Sequence, residues 1–208
     1  MSTGHRPNPT IDFDHPPADP LPLFDQWLAD AKKLATPNPN AMTLATVASD
    51  GAPSARVVLL RGMSRDGARF FTNRSSRKGR ELAENQRVAL LFFWDELNRQ
   101  VRIEGLASPT SDAESDEYFA QRPFDSRINA WASDQSEPVA NRAELERRAG
   151  QLTERFTGID VPRPPHWGGY RVSLDRIEFW QGDKYRLHDR IAYTRNADGR
   201  YTVVRLCP

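Results

Sequence analysis

Turn-forming clusters recur at short intervals in this chain, at Ser49-Asp50-Gly51, Asp66-Gly67 and Asp198-Gly199, and each stands between runs of strand-like composition. Strands joined this closely run antiparallel, because a parallel pair needs a crossover of about a dozen residues or more. The predicted strands are Met42 to Val47, Ser54 to Leu60, Arg69 to Thr72, the apolar run Val88 to Trp94, Gln100 to Leu106, Tyr170 to Trp180, Tyr185 to Tyr193 and Tyr201 to Leu206. Helical patterns are inserted among them rather than alternating with them. Leu23, Phe24, Trp27, Leu28, Ala31 and Leu34 recur at helical spacing, Ser76 to Asn85 reads as a short helix, and helical signals run from Ser111 to Phe156. Ser111, followed by acidic Asp112 and Glu114, reads as a capped start. The pattern predicts a mainly β, α+β fold, an antiparallel barrel-like sheet decorated by helices, and argues against a doubly wound parallel sheet.

Residues 1–20, rich in Pro, Asp and His, carry neither periodicity and read as a flexible arm ahead of one domain spanning 21–208. A formal charge of +1 over 208 residues supplies no global field for nucleic acid or an anionic membrane, so anion recognition has to be local. Cys207 is the one cysteine and has no internal partner, which fits a reducing cytosol. No run reaches the length of a membrane span, and Met1 to Arg6 lacks the apolar stretch of a secretory signal, so the expectation is a soluble, cytoplasmic protein. His5, His15, His166 and His188 are scattered, with no zinc spacing, and no phosphate loop or Gly-x-Ser-x-Gly elbow occurs.

Three cationic clusters remain. Arg74-Ser75-Ser76-Arg77-Lys78-Gly79-Arg80 opens the short helix, where free amides and the dipole favour a phosphate, and Arg56 alternates with Val58 and Leu60 on the preceding hairpin. Tyr118, Arg122 and Ser126 follow at four-residue spacing, a shared helix face if Pro123 permits it, with Gln135 and Ser136 beyond. Arg186, His188 and Arg190 alternate, so an extended chain aims all three at one face, with neighbours roughly 6.6 Å apart. A charged imidazole beside a guanidinium at that distance costs ~0.6–2.5 kcal/mol, which a bound anion reverses.

Taken together, Arg56-Val57-Val58-Leu59-Leu60, Phe71-Thr72-Asn73 leading to Ser76-Arg77-Lys78, Trp131 with Gln135-Ser136, and Glu178-Phe179-Trp180-Gln181-Gly182 continuing to Arg186-Leu187-His188-Asp189-Arg190 resemble the pyridoxine/pyridoxamine 5′-phosphate oxidases. These are FMN-dependent enzymes on a split β-barrel, and the likeness runs from about Pro17 to Pro208. The resemblance implies that Arg56, Phe71, Thr72, Arg77, Lys78, Gln100, Gln135, Ser136, Trp180 and Arg190 contact FMN. It implies that Arg61, Tyr118, Arg122, Ser126, Arg186 and His188 hold a phosphorylated pyridine, with Arg186 and His188 as the catalytic pair that presses it against the flavin. Arg61 stands where the family usually has lysine, and residues 1–20 lack the arginine and tyrosine that often close over the substrate. The implied reaction is oxidation of pyridoxine or pyridoxamine 5′-phosphate by O2, giving H2O2, in a homodimer. A related branch acts on dihydrophenazine carboxylates and is the alternative. A passive flavin or haem module would leave the Tyr118, Arg122, Ser126, Arg186 and His188 set without a purpose, and nucleic-acid binding rests on Arg74 to Arg80 alone.

Overall fold

The computed structural model of the chain describes residues 11–208. Helix α1 (Leu21–Lys32) leads into strands β1 (Ala41–Val47), β2 (Pro53–Leu59), β3 (Gly62–Ser64) and β4 (Gly67–Asn73). Helix α2 (Arg77–Glu84) precedes β5 (Arg87–Trp94) and the long β6 (Arg99–Pro109). Three helices follow, α3 (Asp112–Ala120), α4 (Phe124–Ala132) and α5 (Arg142–Arg155), and then β7 (Trp167–Val172), β8 (Arg176–Gln181), β9 (Asp189–Arg195) and β10 (Tyr201–Arg205).

Every strand pair is antiparallel, and the main path runs β10-β9-β8-β6-β5-β1-β2. Strand β6 is where the sheet divides. Its first half pairs with β8, while Ala107 to Pro109 turn to β7, which carries β4 and β3 in the second branch. Gly105 sits at the division, and a Cβ there would fall 2.0 Å from the Ser173 carbonyl oxygen, so only glycine lets the two branches approach. The result is the expected antiparallel half-barrel.

Alternation along the strands sorts the two faces. Met42, Leu44, Leu90, Phe92, Val101, Ile103, Ile177, Phe179 and Ile191 point inward to the core, where α1 covers them through edge contacts of Phe24 on Phe92 and Trp27 on Phe179, both at 5.2 Å. The opposite face carries Phe93, Gln100, Trp180 and Arg190 in one cross-strand row, and Phe93 is 55% exposed there. A second apolar cluster, Phe119, Ile128, Phe156, Val161 and Trp167, packs α3, α4 and α5 against β4 and β7. No helix among the described residues is long and apolar enough to cross a membrane.

Four expectations change. The predicted strand Tyr170 to Trp180 is two strands separated at Ser173 to Asp175, and β3 is too short to register in sequence. Helical signals over Ser111 to Phe156 resolve into three helices, with Ser111 and Glu114 forming a reciprocal capping box on α3. Residues 1–10 of the expected arm lie outside the described residues. In the remainder, Ile11 and Phe13 are buried in the core and the Pro17 carbonyl accepts a hydrogen bond from Tyr193 at 3.0 Å, so that stretch is docked. Finally, Lys184–Arg186 forms a 3-10 turn with Tyr185 (φ 59°) and Arg186 (φ 64°) in the left-handed region, and β9 begins only at Asp189. Arg186, His188 and Arg190 therefore do not alternate on an extended chain.

Candidate active site

A cavity of about 430 Å³ opens between β2, β4 and the α3–α4 pair. Its wall includes Arg61, Phe71, Thr72, Lys78, Tyr118, Arg122, Ser126 and Gln135, eight of the residues expected to touch cofactor or substrate, together with Val57, Asn129, Ser133 and Trp167. The lining holds three cations and no carboxylate. Such a cavity attracts anions and penalises any ligand that brings none.

Local structure explains how each side chain arrives. Ser76 caps α2 by accepting from the Gly79 amide, and a Cβ at Gly79 would fall 2.0 Å from the Arg74 carbonyl oxygen, so glycine lets the first turn seat directly on the preceding loop. That seating buries Lys78, whose Nζ donates to Gln135 Oε1 at 2.8 Å and to Thr72 Oγ1 and Ser76 Oγ at 3.2 Å each. Burial, and then the nearby Arg56, pulls the Lys78 ammonium down to about 8, against an opposing pull from Glu81. Pro123 separates the helices, yet α4 restarts at once, so Tyr118 on α3, Arg122 in the link and Ser126 on α4 all line the same cavity.

The aromatic wall is a parallel stack. Phe71 lies 4.1 Å from Tyr118 and 5.5 Å from Trp167, with interplanar angles of 12° and 7°. Arg122 sits over Trp167 at 4.8 Å, and Arg61 over Tyr118 at 5.6 Å. Neither guanidinium has a carboxylate or hydrogen-bond partner among the described residues, and Arg122 Nη1 is buried without one. Burial lowers the Arg122 pKa, Arg61 adds to the effect, and Tyr118 opposes it. Two unpaired, mutually repelling guanidiniums over an aromatic slot suit a planar ring bearing a phosphate or carboxylate.

The remaining expected residues stand outside this cavity. Arg56 points to the α2 side of β2, where it donates to Glu81 at 3.1 Å, to Thr46 and to Ser54; Arg77 Nε donates to the other Glu81 oxygen at 2.9 Å. Ser136 is exposed at φ 79°, next to Gln135. Gln100, Trp180 and Arg190 lie in the row on the outer sheet face. Arg190 is held within the chain, by Glu178 Oε1 at 2.7 and 2.9 Å and the Cys207 carbonyl at 2.7 Å. His188 Nδ1 accepts from the Asp183 amide at 3.1 Å, and its ring lies 4.7 Å from Trp180. Arg186 is exposed, without a partner among the described residues, between Tyr185 and Leu187, which are 93% and 70% exposed. Left-handed non-glycine residues cost roughly 1–3 kcal/mol each and gather at functional segments. The expected residues thus fall into two groups, one lining the cavity and one outside it. Glu81, which orders the cationic helix start, was missed in the sequence; its only signal is a carboxylate beside inward-facing Leu82 on a helix crowded with cations.

An antiparallel half-barrel with a lateral cavity lined by three cations and an aromatic stack defines the class of protein. The family described as pyridoxamine 5′-phosphate oxidase matches residues 28–156, and the region described as the pyridoxine 5′-phosphate oxidase C-terminal dimerisation region matches 167–208. Pyridoxine/pyridoxamine 5′-phosphate oxidases of Cupriavidus metallidurans and Rubrobacter xylanophilus are each 56% identical over 190 residues, covering 91% of this chain and 89% and 87% of theirs. PhzG from Burkholderia lata 383, solved with tetrahydrophenazine-1-carboxylic acid, superposes with a TM-score of 0.88 at 34% identity, over 96% of this chain and all of that one. A pyridoxamine 5′-phosphate oxidase-related, FMN-binding protein of Nostoc punctiforme shares the fold, with a TM-score of 0.73 at 15% identity, over 93% of this chain and all of that one. The chain belongs to the pyridoxine/pyridoxamine 5′-phosphate oxidase family.

Proposed function

We propose that this protein is an FMN-dependent oxidase that converts pyridoxine 5′-phosphate or pyridoxamine 5′-phosphate to pyridoxal 5′-phosphate, with O2 as acceptor and H2O2 as product. The observation that carries this reading is the cavity with three cations, no carboxylate and a three-ring aromatic wall, in a chain 56% identical to oxidases of that name. The residues fit FMN: the α2 start offers a capped helix N-terminus, buried Lys78 and the Arg56 and Arg77 guanidiniums for a phosphate, while Thr72, Gln135 and Ser136 offer polar contacts and Phe71 a ring face. When bound, FMN supplies the two-electron acceptor.

The protein's own groups bind and orient. Arg61, Arg122, Ser126 and Tyr118 hold the substrate phosphate, and the Arg122 N–H that lacks a partner gains one. Gln100, Trp180, Arg186, His188 and Arg190 reach the cavity of a second copy, so that a homodimer completes two sites. Support for this pairing comes from the placement of all five outside their own chain's cavity, from the exposed apolar residues Val57 and Phe93 on the same sheet face, and from the match of 167–208 to a dimerisation region. Arg186 presses on the substrate, and His188 offers Nε2 at the reacting end.

The test is peroxide release by the purified, FMN-loaded protein. Pyridoxine or pyridoxamine 5′-phosphate should drive it, and Arg186→Leu should lower turnover by about 10²-fold or more through lost positioning while FMN stays bound. Unchanged turnover in that variant would end the clamp assignment. The PhzG likeness favours one second reading, oxidation of a dihydrophenazine carboxylate. Turnover of that substrate alone, with none of the two phosphates, would replace the first reading by it.

A further inference from the structure

Glu81 lies outside the cavity, is 4% exposed, and receives four donors from three elements. Thr46 Oγ1 and Ser54 Oγ donate to Oε2 at 2.5 and 2.7 Å from β1 and β2, and Arg56 reaches the same oxygen at 3.1 Å. Arg77 takes Oε1 at 2.9 Å. Burial opposes the charge, but the two hydroxyls and the two guanidiniums outweigh it and hold this carboxyl down to about 2. The carboxylate is therefore a permanent negative charge, fixed among the three cations Arg56, Arg77 and Lys78.

We infer that Glu81 is a positioning residue for the cofactor phosphate, fixing Arg56 and Arg77 through its two oxygens. The inference rests on the FMN reading above. Three like charges at one helix start repel and would splay toward solvent without a resident counter-ion. Arg56 instead has its guanidinium spread over Leu44, Thr46, Ser54 and Glu81, an arrangement that leaves little freedom to lose when a phosphate arrives. Lys78 faces Arg56 from β2, Thr72 from β4, Gln135 from the segment after α4, and Ser76 and Glu81 from its own helix and cap. Glu81 is the group among them that favours the protonated amine, so its loss moves Lys78 further toward neutrality.

Quenching of flavin fluorescence, read from pH 6 to 10 on the flavin-free protein, tests this. Wild type should bind FMN with an affinity that falls as pH rises through about 8, because the phosphate prefers the protonated lysine. Glu81→Gln should bind about tenfold more weakly at pH 7, with the fall-off beginning on the order of one pH unit lower. Glu81→Asp keeps the charge but shortens the reach, so it should lose roughly threefold in affinity at an unchanged midpoint. An affinity and profile in Glu81→Gln equal to wild type overturns the inference, and so does weaker binding at an unmoved midpoint, which a merely structural role would give. If thermal unfolding shows Glu81→Gln not to fold, Glu81→Asp decides, and a displaced midpoint there overturns the inference. Absence of FMN uptake by wild type itself overturns the FMN reading, and this one with it.

Discussion

Replacing Arg122 by methionine is expected to lower kcat/KM for pyridoxine 5′-phosphate by roughly 30- to 1000-fold, about 2–4 kcal/mol, while the unfolding temperature stays level or rises. The two effects have opposite signs for one reason. Arg122 is half-buried against Phe119 and Trp167, one of its N–H groups has no partner, and Arg61 repels it. A methionine keeps the packing on both rings and removes an uncompensated charge, which favours the folded state. On the proposed function, the same charge is what the substrate phosphate binds. Steady-state kinetics beside differential scanning calorimetry checks both halves; a variant with full activity, or one that loses activity only by unfolding, would contradict the assignment.

Glu178→Gln should destabilise the protein by about 2–4 kcal/mol, a drop of roughly 4–16 °C in Tm for a chain of this size. Glu178 is 2% exposed and divides its oxygens between Arg102, at 2.7 Å, and Arg190, at 2.7 and 2.9 Å. Removing the carboxylate charge leaves Arg190 without a counter-ion and Arg102 with only the partly exposed Glu104, 2.9 Å from its Nε. The full cost of breaking a buried pair is about 3–5 kcal/mol, and partial exposure of both arginines reduces it. Because Arg190 also holds the Cys207 carbonyl, the C-terminal segment should loosen in the same variant, visible as faster amide exchange over residues 205–207. A Tm within about 1 °C of wild type would show that the arginines are adequately solvated without it.

The sheet was legible because tight turns announce antiparallel neighbours, and because runs such as Val88 to Trp94 are apolar enough to mark strands. The capped, cation-rich helix start was legible for a local reason as well: Ser76 caps and Gly79 permits close packing within four residues. What failed depended on distant contacts or on backbone conformation. Ile11 and Phe13 are two apolar residues in a Pro- and Asp-rich stretch, too few to signal docking, and their burial is decided by core surface contributed from elsewhere. Arg186 and His188 alternate in sequence, but the left-handed φ values of Tyr185 and Arg186 break the alternation, and no residue type there announces it. The carboxylate that pairs with Arg56 and Arg77, Glu81, lies 25 positions beyond Arg56. Separation of the candidate residues into a cavity-lining group and a group outside it is likewise invisible in a linear string, since it follows from which face of the sheet each strand presents and from the turn before β9.

That division makes the sharpest claim, and subunit mixing tests it. Arg122→Met and Arg186→Leu, each nearly inactive alone, are unfolded together and refolded as a mixture. If each site draws Arg122 from one chain and Arg186 from the other, half of the dimers are mixed and each mixed dimer has one undamaged site, so about one quarter of wild-type activity returns. If both residues serve one site from one chain, every site carries a lesion and the mixture stays as inactive as its components, which would contradict the account.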